Sequence, residues 1–138
     1  MNRRNRPFHR TGLLEDDFWR YVASGEVRVQ QCSDCSRFRY PPGPCCPSCL
    51  SDQFNWLALS GRGRILSWVT FHKQYFDEFP PPHTVIAAQT EEGPILIADL
   101  VVLPGIHPDL RVDADVRLEF SPAVTGDIKW TTYCWRMV

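Results

Sequence analysis

Two Cys-x2-Cys pairs, Cys32 with Cys35 and Cys46 with Cys49, are separated by ten residues. Each pair forms a tight knuckle that presents two thiolates to one ion, and two knuckles close a tetrahedral S4 site, the geometry that zinc accepts without distortion. The segment is too short to bury an apolar core, so a metal must supply its folding free energy, about 10–16 kcal/mol for structural zinc at neutral pH. Pro47 inside the second knuckle stiffens it. A pair of disulfides is the competing reading. It is disfavoured because cysteines so close in a knuckle meet disulfide geometry poorly and no export signal points to an oxidising compartment. Iron is a second rival, because iron-binding knuckles read the same in sequence. Four thiolates leave no open position for water or substrate, so the site is expected to be structural and not catalytic. Cys45 opens an alternative register with Cys49, but the x2 spacing around proline assigns Cys46. Cys134, between Tyr133 and Trp135, reads as a small buried core residue.

Composition limits the function classes. With 138 residues the chain makes one domain, or a small domain plus an appendage. A formal net charge of −1 argues against a nucleic-acid binder driven by charge. Its longest apolar runs fall short of a membrane span. Free thiols and the missing export signal lead to an expected cytoplasmic location. Charge is uneven at one place: Arg3, Arg4, Arg6 and Arg10 crowd the first ten residues together with His9. This basic arm reads as a mobile, solvated tail, or as a clamp for the phosphates of coenzyme A, for nucleic acid or for an acidic partner.

Residues 13–24 read as a short helix, with Thr11 as N-cap, Glu15, Asp16 and Asp17 in the first turn, and Gly25 as the stop. Leu14, Phe18, Tyr21 and Val22 recur at helical spacing and mark a face that packs either on the same chain or on a partner. Strands are expected at 26–31 and 37–40 around the first knuckle, and 54–59 leads out of the ribbon. From Gly61 onward the texture is strands and turns. Strands are expected at 64–72, 84–90, 95–102, 115–120 and 128–136, with Glu92-Gly93 as the hairpin between the second and third. In the first of these, alternation places Ile65, Val69 and Phe71 on one face and Leu66, Trp68 and Thr70 on the other. Gly61 and Gly63 are expected to allow a bulge at its start. Five strands, a long first one and a short second hairpin fit an OB-type barrel, here without a helix in the proline-broken 104–109 connection. The expected fold class is therefore mainly β. A basic arm and N-terminal helix (1–25) precede a zinc ribbon (26–52) and a five-stranded OB-fold barrel (53–138).

These residues carry a resemblance. The ribbon segment with Pro41, Pro42, Cys46, Pro47 and Cys49, and the barrel entry with Gly61, Gly63 and Ser67, resemble the zinc-ribbon plus OB-fold family once catalogued as domain of unknown function 35. The likeness runs from about Asp17 to Trp135. It implies a rubredoxin-like ribbon with Cys32, Cys35, Cys46 and Cys49 as metal ligands, and backbone-shaping roles for Gly61, Gly63 and Ser67. It also implies a non-catalytic companion subunit of a thiolase-like, lipid-transfer-type protein or aldolase. Such complexes make or break carbon–carbon bonds of acyl-CoA thioesters, as in steroid or aromatic side-chain degradation, with coenzyme A thioester bound at the partner interface. No catalytic residue transfers. The loop Asp77–His83 is richer in proline than the resemblance leads one to expect.

Two rival readings follow from the residues. A single-stranded nucleic-acid module would stack bases on Trp68, Phe71, Tyr75 and Phe76, against the acidic groups Asp109, Asp113, Asp115 and Glu119. A stand-alone acyl-CoA-binding protein would need no partner. The helix, the aromatic loop around Phe71, Tyr75, Phe76 and Phe79, and the arginine arm are the expected contact surfaces. His72, His83 and His107 read as solvated side chains, and Glu91-Glu92 as hairpin surface charge, not an acid/base dyad.

Overall fold

The structure, a computed structural model, describes residues 4–6 and 12–138. Arg3, His9, Arg10 and Thr11 lie outside the described residues. Among those described, the elements are β1 (Arg4–Asn5), α1 (Leu13–Ala23), β2 (Arg28–Cys32), β3 (Phe38–Arg39), β4 (Phe54–Ala58), β5 (Arg62–Phe71), β6 (His83–Thr90), β7 (Ile95–Asp99), β8 (Asp115–Thr125) and β9 (Ile128–Met137).

Helix α1 starts where Gly12 can cap it: the Glu15 carboxylate accepts from the Gly12 N–H at 3.1 Å, and Glu15 and Asp16 sit at the positive end of the dipole. It stops at Gly25, whose φ of +87° is open to glycine alone without strain. The face carrying Phe18 and Val22 is buried. Its ring contacts are with the same chain. Phe18 meets Tyr40 at 5.9 Å and Tyr133 at 6.0 Å, Trp19 meets Trp130 at 5.8 Å, and Tyr21 meets Trp56 at 5.7 Å. Of the two readings of this face, packing on the parent chain is the one observed.

The ribbon sheet runs β3-β2-β4. Segment 54–59, expected only to lead away, folds back on β2, with Cys32 opposite Phe54 and Arg28 opposite Ala58. The second sheet is the barrel. Strand β5 pairs antiparallel with β6 and with β8, β6 with β7, and β8 with β9. Leu100 bridges Trp135 in parallel, and the Val101 N–H donates to the Trp135 carbonyl at 2.8 Å, closing β7 onto β9. This is the five-stranded closed order of an OB-fold. Glu92-Gly93 makes the β6–β7 hairpin, and no helix occupies 104–109. Strand β8 runs to Thr125, five residues beyond the expected end at Phe120, because its far half pairs fully with β9.

The bulge in β5 lies between Ile65 and Ser67 and not at Gly61 or Gly63. The extra residue, Leu66, reverses the alternation beyond it. Ile65 lies on the side of Ala88, and Trp68 on the side of the fully buried Ile86, so these two share the inner face. Val69, opposite Val85, and Phe71, opposite His83, share the outer one. The expected faces are thus corrected, and much of the distal half of β5 is exposed.

For residues 4–6 the reading of the basic arm as a solvated tail is corrected as well. Backbone Arg4–Asn5 pairs in parallel with Ala123–Val124 of β8, the Arg6 N–H donates to the Val124 carbonyl at 3.1 Å, and Thr125 Oγ1 donates to the Arg6 carbonyl. The buried Arg6 guanidinium is ion-paired with Asp99 and lies 5.1 Å from the centre of the Phe79 ring. Arg6 therefore serves the fold, since its charge is already matched and its plane already covered.

One apolar core joins α1 (Phe18, Val22) through Val27 to the barrel residues Ile65, Ile86, Leu96, Val116 and Trp135. Burying each such large side chain contributes about 1.5–3 kcal/mol. Trp135 Nε1 donates to the Leu96 carbonyl at 3.3 Å, so its polar atom is not orphaned. Gly63 sits against it: a Cβ there would lie 2.8 Å from the Gln89 carbonyl oxygen and 3.2 Å from the Trp135 ring. Gly63→Ala is expected to lower the unfolding free energy by about 1–3 kcal/mol, read from urea denaturation. An unchanged midpoint would show that the barrel seam is looser than its contacts imply.

Candidate functional site

The first knuckle is built where β2 ends and β3 begins. The Cys32 N–H donates to the Arg37 carbonyl at 2.8 Å and the Ser36 N–H to the Cys32 carbonyl at 3.0 Å. The second repeats the pattern: the Cys46 N–H donates to the Ser51 carbonyl at 2.8 Å, and the Leu50 N–H to the Cys46 carbonyl at 2.9 Å. Ser36 and Leu50, each four residues past the first cysteine of its knuckle, both have φ of +63°. A leucine in this region is strained, and both knuckles tolerate the strain because it turns the chain back over the sulfurs.

The structure brings Cys32, Cys35, Cys46 and Cys49 together, with all four Sγ atoms within 4.8 Å of one another. The Cys32–Cys49 and Cys35–Cys46 sulfur pairs are 3.5 Å apart. That is far beyond a disulfide bond of about 2.05 Å. It is close to the edge, about 3.8 Å, of a tetrahedron with zinc–sulfur bonds of about 2.3 Å. The donor set therefore fits a zinc ion. Cys45 lies exposed outside the cluster, and Cys134 is buried with its Sγ 3.4 Å from the Glu119 carbonyl.

Backbone N–H groups polarise the thiols unequally. Those of Cys49 and Ser48 bring Cys46 down to about 6, outweighing the effect of burial. The Cys35 N–H, with that of Asp34, lowers Cys32. At Cys49 the Ser51 N–H acts downward, but the crowd of sulfurs, Cys32 first, together with burial pushes the thiol up to about 12. Cys35 is raised likewise, against the Arg37 N–H. A metal needs every sulfur as thiolate, so affinity falls as pH drops and protons compete.

A support that sequence reading missed is Gln30. It is fully buried, and its Oε1 accepts from Arg39 Nε and from the Gly43 N–H, both at 2.8 Å, tying the proline turn before the second knuckle to the ribbon sheet. Arg39 in turn stacks on Phe54 at 4.7 Å. A glutamine in an alternating strand carries no pattern that would announce this.

The remaining candidates separate. His72 and His107 are exposed. His83 is not solvated as expected: it stacks on Phe71 at 6.2 Å, meets Phe79 at 4.7 Å, and places Nε2 3.6 Å from Asp99. Glu91 is ion-paired with Arg62 at 3.0 Å and held below the usual carboxylate range by the Ser60 hydroxyl and then by Arg62. Glu92 accepts from the Ser60 N–H at 2.6 Å, so the two form no acid/base pair. The acidic residues Asp109, Asp115 and Glu119 each face an arginine: Arg111, Arg64 and Arg136.

Known proteins share this arrangement. Residues 19–55 match the family model described as the ChsH2 rubredoxin-like zinc ribbon domain, and residues 56–121 match that of the ChsH2 C-terminal OB-fold domain. A probable enoyl-CoA hydratase alpha subunit of Thermomonospora curvata is 34% identical over 79% of this chain and 34% of its own length. A 3-oxo-4,17-pregnadiene-20-carboxyl-CoA hydratase alpha subunit of Mycobacterium tuberculosis is 31% identical over 86% of this chain and 36% of its own. The chain thus spans about a third of the length of these curated relatives. Among solved structures, a chain of an Ltp2-ChsH2(DUF35) aldolase superposes with a TM-score of 0.80 and 26% identity, covering 96% of this chain and 98% of that one.

Thiol labelling checks the cysteine environments. In metal-loaded protein Cys45 should react first, the four clustered cysteines only after a chelator is added, and Cys134 only on unfolding. Early modification of any clustered cysteine in untreated protein would contradict the arrangement.

Proposed function

This chain belongs to the ChsH2-type zinc-ribbon and OB-fold family, and from that premise we propose that it is a non-catalytic companion subunit of a thiolase-like protein, in a complex that makes or breaks carbon–carbon bonds of acyl-CoA thioesters. The observation that carries the reading is the near full-length likeness to a chain of an aldolase assembled from two components. The hydratase names of the curated relatives describe much longer chains, of which the match covers about a third, so their activity is not transferred to a chain matching only this part.

Cys32, Cys35, Cys46 and Cys49 hold one structural zinc. The ion supplies cross-linking of the two knuckles and no Lewis-acid chemistry, because four sulfurs fill its coordination sphere. The protein's contribution is shape. On the outer face of β5, β6 and β7, Val69 is paired with Val85 and Ala87 with Ile97, and Phe71 and Ile95 share that face, with Ile97 63% exposed. An apolar face of this kind on three paired strands is the surface offered to the partner, in place of the buried helix face and of Arg6, which the fold itself uses. Among the described residues Arg62, Arg64, Arg111 and Arg136 each face a carboxylate, which together with the formal net charge of −1 disfavours the nucleic-acid reading.

Co-expression with a thiolase-like protein encoded beside it tests the proposal: the two should co-purify in fixed ratio with one zinc per copy of this chain, and acyl-CoA should turn over only in the mixture. Thioester turnover by the purified chain alone would refute it. Cys46→Ser is expected to lose the metal and, with it, the ribbon and the complex. Ile97→Asp should leave zinc content and circular dichroism unchanged but reduce partner recovery at least tenfold. Undiminished recovery would move the interface elsewhere.

A further inference from the structure

The loop between β5 and β6 builds a cleft at the edge of the apolar face of β5, β6 and β7, sharing Phe71 with it. It has a volume of about 370 Å³ and is lined by Phe71, Lys73, Tyr75, Phe76, Phe79, His83 and Asp99. Tyr75 and Phe76 stand 66% and 60% exposed, an unfavourable arrangement for rings of this size unless something covers them. The rings are not collapsed into a stack. Phe71 meets Tyr75 edge-on at 6.2 Å, and Phe76 meets Phe79 edge-on at 6.3 Å, so the two pairs line the cleft without stacking on each other. The floor is fixed, because His83 is held between Phe71 and Phe79 and faces Asp99, which is ion-paired with Arg6.

Charge selects the ligand. Asp99 is already matched by Arg6. Lys73 has its ammonium 5.6 Å from the centre of the Tyr75 ring, and among the described residues no carboxylate pairs with it. Asp77 and Glu78 do not line this cleft but an adjoining one that shares Phe79, His83 and Asp99 with it. The unmatched charge among the residues lining this cleft is therefore positive, and it stands beside aromatic walls. We infer that this cleft binds a planar aromatic carboxylate, its ring between Phe71, Tyr75, Phe76 and Phe79 and its carboxylate on Lys73. Volumes of this order suit a small bicyclic ligand. The inference does not depend on the companion role, because it is read on the chain alone.

Calorimetric titration of the full-length chain with 2-naphthoate tests it, with 2-naphthylmethylammonium, decanoate and adenosine monophosphate as comparisons. The naphthoate should bind with Kd below about 1 mM, and the cation and the aliphatic acid at least tenfold more weakly. Phe76→Ala and Lys73→Gln, both on the exposed loop, should each weaken naphthoate about tenfold while circular dichroism and zinc content stay unchanged. Lys73→Gln should also erase the preference for the anion over the cation. Failure of naphthoate to bind, equal binding of anion and cation, or indifference to both substitutions would overturn the proposal. Tighter binding of adenosine monophosphate than of naphthoate would overturn the assignment of a carboxylate ligand.

Discussion

Everything in this molecule is oriented by one apolar joint, the packing of Phe18 and Val22 of α1 between ribbon and barrel. Phe18 touches Tyr40 of the ribbon and Tyr133 of β9, and those two tyrosines close the contact with a hydroxyl–hydroxyl bond of 2.8 Å. Burial raises both phenols above their usual range, so they stay neutral and the bond carries no charge penalty. A ribbon held only through its metal would swing on the barrel. Held through this joint, it becomes one body with it, and a continuous core runs from the helix to Trp135.

That rigidity gives the thiolate cluster and the barrel face a fixed relation. The ribbon has almost no core of its own beyond Val29 and the cysteines, and it replaces one with the four-sulfur cluster, the buried Gln30–Arg39 pair and the helix. The barrel has core to spare and uses its outer face for apolar groups that make no sense in an isolated chain. The two halves divide the work: one clasps, the other presents a surface.

Much of the fold was legible because it follows from local pattern. The four cysteines, the stop at Gly25, the Glu92-Gly93 hairpin and the broken 104–109 connection each announce themselves through spacing or backbone permission. The bulge at Leu66 does not. A single extra residue in β5 depends on which strand lies opposite, and it sent Val69 and Phe71 to the face opposite the one that alternation assigns. Gln30 was equally silent, since its role lies in two partners, Arg39 and Gly43, on another strand and turn. Arg6 read as part of a charged tail because its counterion, Asp99, is distant in sequence.

By itself, the order of residues determined what short-range chemistry can dictate: a tetrahedral sulfur site, a helix with its ends, a barrel-forming run of strands and the family they belong to. Tertiary structure alone decided which charges are spent and which are free. Arg6 and Asp99 neutralise each other only because β1 lies beside β8 and β7 closes onto β9, while Lys73 is left unmatched at an aromatic cleft. Electrostatic pairing is set by distances through space, and those exist only once the chain has folded.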